Sequence, residues 1–574
     1  MTNNWRPITI ALLVVLNLNP VSAVLAAPPP QGDWLTAVQH RNGQDDIALR
    51  DPAGRWHVLT GPDTDDRDPA WSPDGRRLAY ASRRHRNWDI YIFDTTTGRE
   101  QRVTTNPHFD AHPTWSPDGR YLAFESSRLQ DLDVFVVDLD TGQIRDLTKS
   151  STAHDYAPAW SPDGQWIAFT TWRDRNRELY VIQPDGTIPI NLTRDAAQDE
   201  NPVWSPGGRW IAFTSDRDGD RAVYTMQFPL HPDMPPRRLS WSGYDESPAW
   251  SADGSLLWFI SPRATDTHLF VVNTADPQAI SRFAEPSTAT LRALARGPTS
   301  IASGPPLQDS AGATPRPAHT SAVRDSGDGQ PPYDLIVLDD VDTNSPKMSS
   351  RVDGDFRALR ARVRDEVGYD FLARLSDAYR PLDFDSDGSD YLSWHKVGRA
   401  IDTLVDLDRR SGHPMLEVVR DDRRTETFWQ VYLRCANQDG SCGEPLTSAP
   451  WDLSYKARWE DAPDQGGHPK AVPVGYYVNF GRLATDYGWT PISSYDDEDF
   501  SWKQNKTALE YWHFQNTADL TWYEAMQDVY DEQTLRERFS WADAAEHGVS
   551  FFLRQAKGLA VPADAWRPYR LIAP

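Results

Sequence analysis

Between residues 34 and 283 the apolar residues fall in short runs bounded by turn residues, the pattern of β-strands. Strands are predicted at Leu78–Ser82, Tyr121–Ser126, Trp166–Thr171, Trp210–Ser215 and Leu256–Ser261. A second strand follows each, at Asp89–Asp94, Asp133–Asp138, Glu178–Gln183, Ala222–Gln227 and His268–Asn273. Residues 298–332 break the pattern with seven prolines, many Ser, Ala, Gly and Thr, and no apolar periodicity. That composition predicts a disordered linker. Apolar patterning resumes at Tyr333 to Leu338, and Leu359, Val363, Val367 and Leu372 lie near helical spacing within a helix predicted over Phe356 to Leu375. Residues 333–574 read as one domain of mixed α and β.

The strands of the first half belong to a repeat. Trp-Ser-Pro-Asp-Gly begins at Trp71, Trp115 and Trp160, and recurs as Trp-Ser-Pro-Gly-Gly at Trp204 and Trp-Ser-Ala-Asp-Gly at Trp250, at intervals of 44, 45, 44 and 46 residues. That period fits four-stranded propeller blades. Pro-Asp-Gly is turn chemistry, and each Trp can pack between neighbouring blades. Residues 34–60 carry strands without a Trp-Ser motif, so a strand within 287–297 is expected to complete a sixth blade and close the ring. The repeat resembles the TolB-like propellers, which implies an all-β six-bladed propeller over residues 32–297 that serves as a platform for a protein or other ligand.

At the N-terminus, Arg6, the apolar stretch Ile8 to Leu18 and the small residues Ala23, Ala26 and Ala27 have the order of an export signal, expected over residues 1–27. The alternative is an uncleaved anchor, for which the apolar stretch is short. No later segment is apolar enough to span a membrane, so a secreted or periplasmic protein is expected. The two cysteines, Cys435 and Cys442, suit a loop disulfide in an exported chain. A formal charge of −24 argues against nucleic acid as a partner.

Candidate chemistry is confined to three segments of the second half. Ser393-Trp394-His395-Lys396-Val397-Gly398-Arg399-Ala400-Ile401-Asp402 leads into a strand-like run on which Asp402 and Ala400 share a face, with His395 arriving from the preceding turn. In Leu509-Glu510-Tyr511-Trp512-His513-Phe514, Glu510 and His513 would face apart on a regular strand, so a bend near Glu510 is required. The third segment is Asp377-Ala378-Tyr379-Arg380-Pro381. Together, Ser-x-His-x-x-Gly-x-Ala-x-Asp, a later Glu-x-Trp-His and an upstream Tyr-Arg resemble the zinc D-Ala-D-Ala carboxypeptidases and dipeptidases, of the lysostaphin and hedgehog type. The resemblance implies an α+β zinc peptidase domain over 333–574, with one Zn2+ on His395, Asp402 and His513. It also implies Glu510 as general base, Arg380 as the group that holds the carbonyl oxygen as it becomes negative, and a small peptide or peptidoglycan stem peptide as substrate. Two imidazoles and a carboxylate leave a position open for water, as catalytic zinc sites do.

One feature departs from that pattern and another stands beside it. Asp402 and His513 are 111 residues apart, and the extra material is either a cap over the cleft or a surface insertion. Asp383-x-Asp385-x-Asp387-Gly388 looks like the start of a calcium loop, so a structural Ca2+ is entertained there, although Trp394 stands where that loop ends in Glu. The competing reading is a non-catalytic propeller scaffold or binding protein with a degenerate peptidase domain. A propeller-gated serine peptidase would need a Gly-x-Ser-x-Gly elbow, which the second half lacks.

Overall fold

The computed structural model describes residues 34–41, 43–61, 64–149, 151–231, 234–241, 243–262, 267–275, 280–283, 290–298, 308–309, 333–384, 391–403, 415–423, 426–495, 501–505, 508–518 and 520–562. The expected signal at 1–27, most of the expected linker, and Asp385 and Asp387 of the acidic turn lie outside them.

In the first half the repeated turns set the geometry. In the first Trp-Ser-Pro-Asp-Gly unit Ser72 Oγ donates to Asp74 Oδ1 at 2.6 Å, and the Gly75 N–H reaches back to the Ser72 carbonyl with Gly75 at φ +69°. The same Ser–Asp bond recurs at Ser116–Asp118, Ser161–Asp163 and Ser251–Asp253. Each Trp ends a strand, and four of the five tie their sheet to the one before. The Trp115, Trp204 and Trp250 indoles donate to the carbonyls of Ala70, Ala159 and Val203, and the Trp71 indole to Thr36 Oγ1. Trp160 differs, its indole facing the Gly164 carbonyl at 3.4 Å.

Six antiparallel sheets are found among the described residues of this half. Five have four strands in sequence order, as in Asp66–Trp71, Arg77–Ser82, Asp89–Asp94 and Arg99–Arg102. The remaining sheet joins the two ends of the repeat region, because Thr290–Arg296 pairs with Leu35–Arg41. Its other edge, Trp56–Val58, pairs with Gln308–Asp309, inside the stretch expected to be linker. An edge strand offers unpaired N–H and C=O groups, and the passing chain satisfies two residues' worth of them.

The innermost strand of each repeat escaped the apolar pattern. Asp66–Trp71, Asp110–Trp115, Asp155–Trp160, Asp199–Trp204 and Glu246–Trp250 each open on an acidic residue and contain proline, so no apolar run or alternation marks them. Each is interrupted by the same bulge, with Asp68, His112, Ala157, Asn201 or Ser247 at positive φ.

The second half begins with Leu335–Val337 paired to Lys347–Ser349, followed by a helix at Asp353–Val367. The helix is shorter than the predicted Phe356 to Leu375 because Gly368, at φ +83°, closes it with an N–H bond to the Arg364 carbonyl. Phe356, Leu359, Val363 and Val367 form its buried stripe. The segment between Asp402 and His513 builds a four-stranded sheet from Leu416–Arg423, Glu426–Arg434, Tyr476–Asn479 and Glu444–Pro445, braced by the Cys435–Cys442 disulfide. Four short helices, Trp522–Gln527, Glu532–Arg538, Trp541–Glu546 and Phe551–Ala556, complete the domain.

That inserted sheet packs against the first half of the chain. Arg67 pairs with Glu444, Ser127 Oγ lies 2.8 Å from the Tyr476 hydroxyl, and the Trp172 indole donates to the Thr447 carbonyl at 2.9 Å. The Tyr244 ring sits between the guanidinium groups of Arg221 and Arg423, each 5.6 Å from its centroid. One apolar cluster runs from Trp88, Phe109 and Trp115 to Val431, Leu433 and Tyr476. The insertion is therefore a docking element between the two halves.

The docking is pH-sensitive at one point. His40 lies between Asp45, 2.6 Å from Nδ1, and Asp486 of the C-terminal domain, 2.7 Å from Nε2, with Arg292 and Arg482 alongside. Burial opposes its charge, but the two carboxylates win and raise its pKa to about 9 from 6.5. Protonated His40 thus stabilises the contact fully below pH 6.5, and that contribution fades as pH rises through about 9. The linkage is worth on the order of 3 kcal/mol. His40→Gln is expected to lower the thermal midpoint clearly at pH 6 and to match wild type by pH 10. A difference independent of pH would refute the protonated bridge.

Candidate metal centre

Three local features bring the predicted ligands together. His395 rides on a single 3-10 turn, Trp394–Val397, whose N-terminal Ser393 Oγ accepts from the His395 N–H. The turn stops at Gly398, φ +66°, and the chain enters the strand Ala400–Asp402. That strand pairs antiparallel with His513–Gln515, so Asp402 and His513 are directly opposed. The required bend falls on Glu510, at φ +57°, where the His513 N–H closes a turn onto the Glu510 carbonyl at 3.1 Å. Glu510 is half-buried at the head of this turn, and regular strand starts only at His513.

Nitrogen or carboxylate donors of His395, Asp402 and His513 all lie within 4.8 Å of one another. Asp402 Oδ1 is 2.8 Å from His513 Nδ1 and 3.3 Å from His395 Nε2, and the imidazole rings meet edge to face at 5.1 Å. His395 is 1% exposed; its Nδ1 has no hydrogen-bond partner, and its Nε2 makes only the 3.3 Å ion-pair contact with Asp402 Oδ1. A buried imidazole nitrogen left unpaired is costly unless something else takes its lone pair. Burial pushes the Asp402 carboxyl up, yet the two imidazoles hold it well below the usual carboxylate range. Burial likewise opposes the His395 imidazolium, and the Asp402 charge outweighs it and raises the His395 pKa. An ionised carboxylate facing two imidazoles is a donor set that could hold a divalent zinc ion.

Arg380 stands beside the cluster. Its Nη2 is 3.8 Å from Asp402 Oδ2, and its N–H donates to the His395 carbonyl at 3.2 Å. Asp377, which the sequence reading quoted but gave no role, does two things here. Its Oδ2 accepts from Arg380 Nε at 2.9 Å, and its backbone pairs with Asp402. The C-terminal helices also contribute groups that no motif marks. The Trp522 indole donates to the Ser393 carbonyl, and the Tyr530 hydroxyl donates to the Lys396 carbonyl and lies 3.2 Å from the Tyr379 hydroxyl. Asp383 is described without a second acidic partner of the calcium-like turn, since the others fall outside the described residues.

A cavity of about 2430 Å³ opens between the sheets and the C-terminal domain, lined by residues such as Arg177, Tyr244, Trp451 and Asn516. None of His395, Asp402, Glu510 or His513 lines it.

Residues 22–154 and 130–284 match the family described as TolB beta propeller domain. The N-terminal half is TolB-like. Among solved structures the chain is similar to TolB from Acinetobacter baumannii, at 21% identity over 47% of this chain and 67% of that one, with a TM-score of 0.42. It is also similar to a putative TolB from Agrobacterium tumefaciens, at 21% identity over 44% and 88%, with a TM-score of 0.36. A nidogen/laminin complex aligns at 13% identity over 46% and 97%, with a TM-score of 0.38. No curated protein matches the chain. The TolB-like match ends at residue 284, and the metal-centre residues lie beyond it. No helix among the described residues is long and apolar enough to cross a membrane.

Proposed function

We propose that this chain is an exported zinc metallopeptidase that hydrolyses a peptide bond in a small or cell-wall peptide. In this reading the six sheets are the blades of a closed TolB-like propeller that serves as binding or targeting module. The observation that carries the reading is the convergence of His395, Asp402 and His513, with His395 buried and its Nδ1 unpaired. His395, Asp402 and His513 would hold the ion. Bound there, zinc supplies Lewis acidity, lowering the pKa of a water and polarising the scissile carbonyl. Glu510 accepts the proton of the attacking water and returns it to the leaving amine. Arg380, oriented by Asp377, stabilises the carbonyl oxygen as negative charge develops on it. The buried surroundings of His395 and Asp402 strengthen each of these interactions by excluding water.

The test couples zinc analysis of the purified chain to a digest of peptidoglycan, with products identified by mass. One zinc per chain and release of a terminal amino acid are expected. A chain with neither zinc nor measurable affinity for it would instead favour a propeller scaffold carrying a degenerate peptidase domain, a reading consistent with the TolB-like match.

A further inference from the structure

We propose that Tyr455 and Trp459 form a stacking platform for a neutral oligosaccharide, on an arm of the insertion that neither the candidate metal centre nor the docking contacts use. The arm leaves at Trp451–Asp452 and returns at His468–Pro469, which pair with each other. Between them a wide helical turn, Ala457–Asp461, buries Ala457 and Arg458. The Arg458 guanidinium is anchored by a 2.7 Å bond to the Trp502 carbonyl. Burying that side of the turn leaves Tyr455 73% and Trp459 46% exposed, with their rings 6.4 Å apart at 41°.

The exposure is held in place. At Gly466 an added Cβ would lie 2.7 Å from the Trp502 ring, and at Gly467 one would lie 2.3 Å from the Asp452 carbonyl oxygen. The return of the arm is therefore fitted closely to the domain, and the aromatic side chains stand out from a seated turn. Exposed aromatic rings forgo the stabilisation of burial, and a ligand that covers them restores it.

The surroundings select the ligand class. Lys456, Glu460 and Asp461 are exposed around the rings, and Asp461 Oδ2 lies 3.8 Å from both Lys456 Nζ and His468 Nε2. A stable protein interface buries about 800 Å² on each partner around an apolar centre. Two aromatic side chains among charged neighbours fall far short of that. A polyphosphate chain is disfavoured by Glu460, Asp461 and the formal charge of −24. A pyranose ring fits both parts of the patch. Its C–H face covers an aromatic ring, and its hydroxyls meet donors and acceptors at the rim. Only the role of the glycan, as carrier of the peptide substrate, rests on the peptidase reading; its binding does not.

Titration of the full chain with chitotetraose and cellotetraose, followed by calorimetry, tests this. At least one is expected to bind, with Trp459→Ala weakening it about tenfold and Trp459→Phe retaining most of the affinity. Zinc stoichiometry, measured alongside, is expected to stay the same in all variants. No binding of either sugar, or equal binding by Trp459→Ala, overturns the platform and leaves the metal reading untouched. Sugar binding by a chain that takes up no zinc supports the platform and overturns the peptidase reading alone.

Discussion

On the proposed peptidase reading, Glu510→Gln is expected to lower the rate of peptide hydrolysis by about 10²- to 10⁴-fold while zinc binding is kept. The substitution preserves size and hydrogen-bonding capacity, so the turn that carries it should persist. That turn depends on backbone: Glu510 at φ +57° and the His513 N–H bonded to the Glu510 carbonyl. What the glutamine lacks is a proton acceptor of useful basicity. The loss should therefore appear in kcat at saturating substrate, with metal content and unfolding midpoint close to wild type. Retained turnover with full zinc would remove Glu510 from the role of base. Loss of zinc together with turnover would mean that Glu510 supports the ligands instead.

The first half was legible because its repeat obeys local rules. Pro-Asp-Gly turns need no tertiary context, and the strands after them carry their own apolar runs. The inner strands were missed because their polarity is paid for elsewhere. Asp110, Asp155 and Asp199 are fully buried, each bridged by an arginine eighteen residues on: Arg128, Arg173 and Arg217. A polar strand of this kind looks like loop to any reading based on apolar periodicity. The signal was present in the same repeat, since those arginines recur at intervals of 45 and 44 residues.

At the candidate metal centre, residue order conveyed which groups converge but not what holds them. His395, Asp402 and His513 are readable because the spacing within each motif is short and the chemistry of each residue type is narrow. Asp377, Tyr530 and Trp522 act through one or two hydrogen bonds each to a carbonyl, a hydroxyl, a guanidinium or the backbone, and many residue types could do the same. Nor did the sequence say whether the insertion before His513 caps the cleft. Its sheet packs on the TolB-like half, through contacts such as Arg67–Glu444 that join residues 377 positions apart. Pairings at that separation leave no local pattern.

Gly398→Ala is expected to destabilise the C-terminal domain by about 2–4 kcal/mol and to weaken zinc binding by roughly 10- to 100-fold. Two costs add. Gly398 sits at φ +66°, a left-handed conformation that costs a residue with a side chain about 1 kcal/mol. An added Cβ would also lie 2.8 Å from both the Leu335 Cδ2 and the Ser349 nitrogen, and 3.1 Å from the Met348 carbonyl carbon. Ser349 cannot simply retreat, because its N–H donates to the Gly398 carbonyl and its strand is paired with Leu335–Val337. Relief must come from the turn that carries His395, which moves that imidazole away from Asp402. Gly548 separates the two costs: it is also left-handed, at φ +79°, but nothing lies within 4 Å of its Cβ position. Gly548→Ala should therefore show the conformational cost alone, about 1 kcal/mol in denaturant unfolding, and leave zinc binding intact. If Gly398→Ala proves no worse than Gly548→Ala, close packing is not what the metal-site motif requires of its glycine.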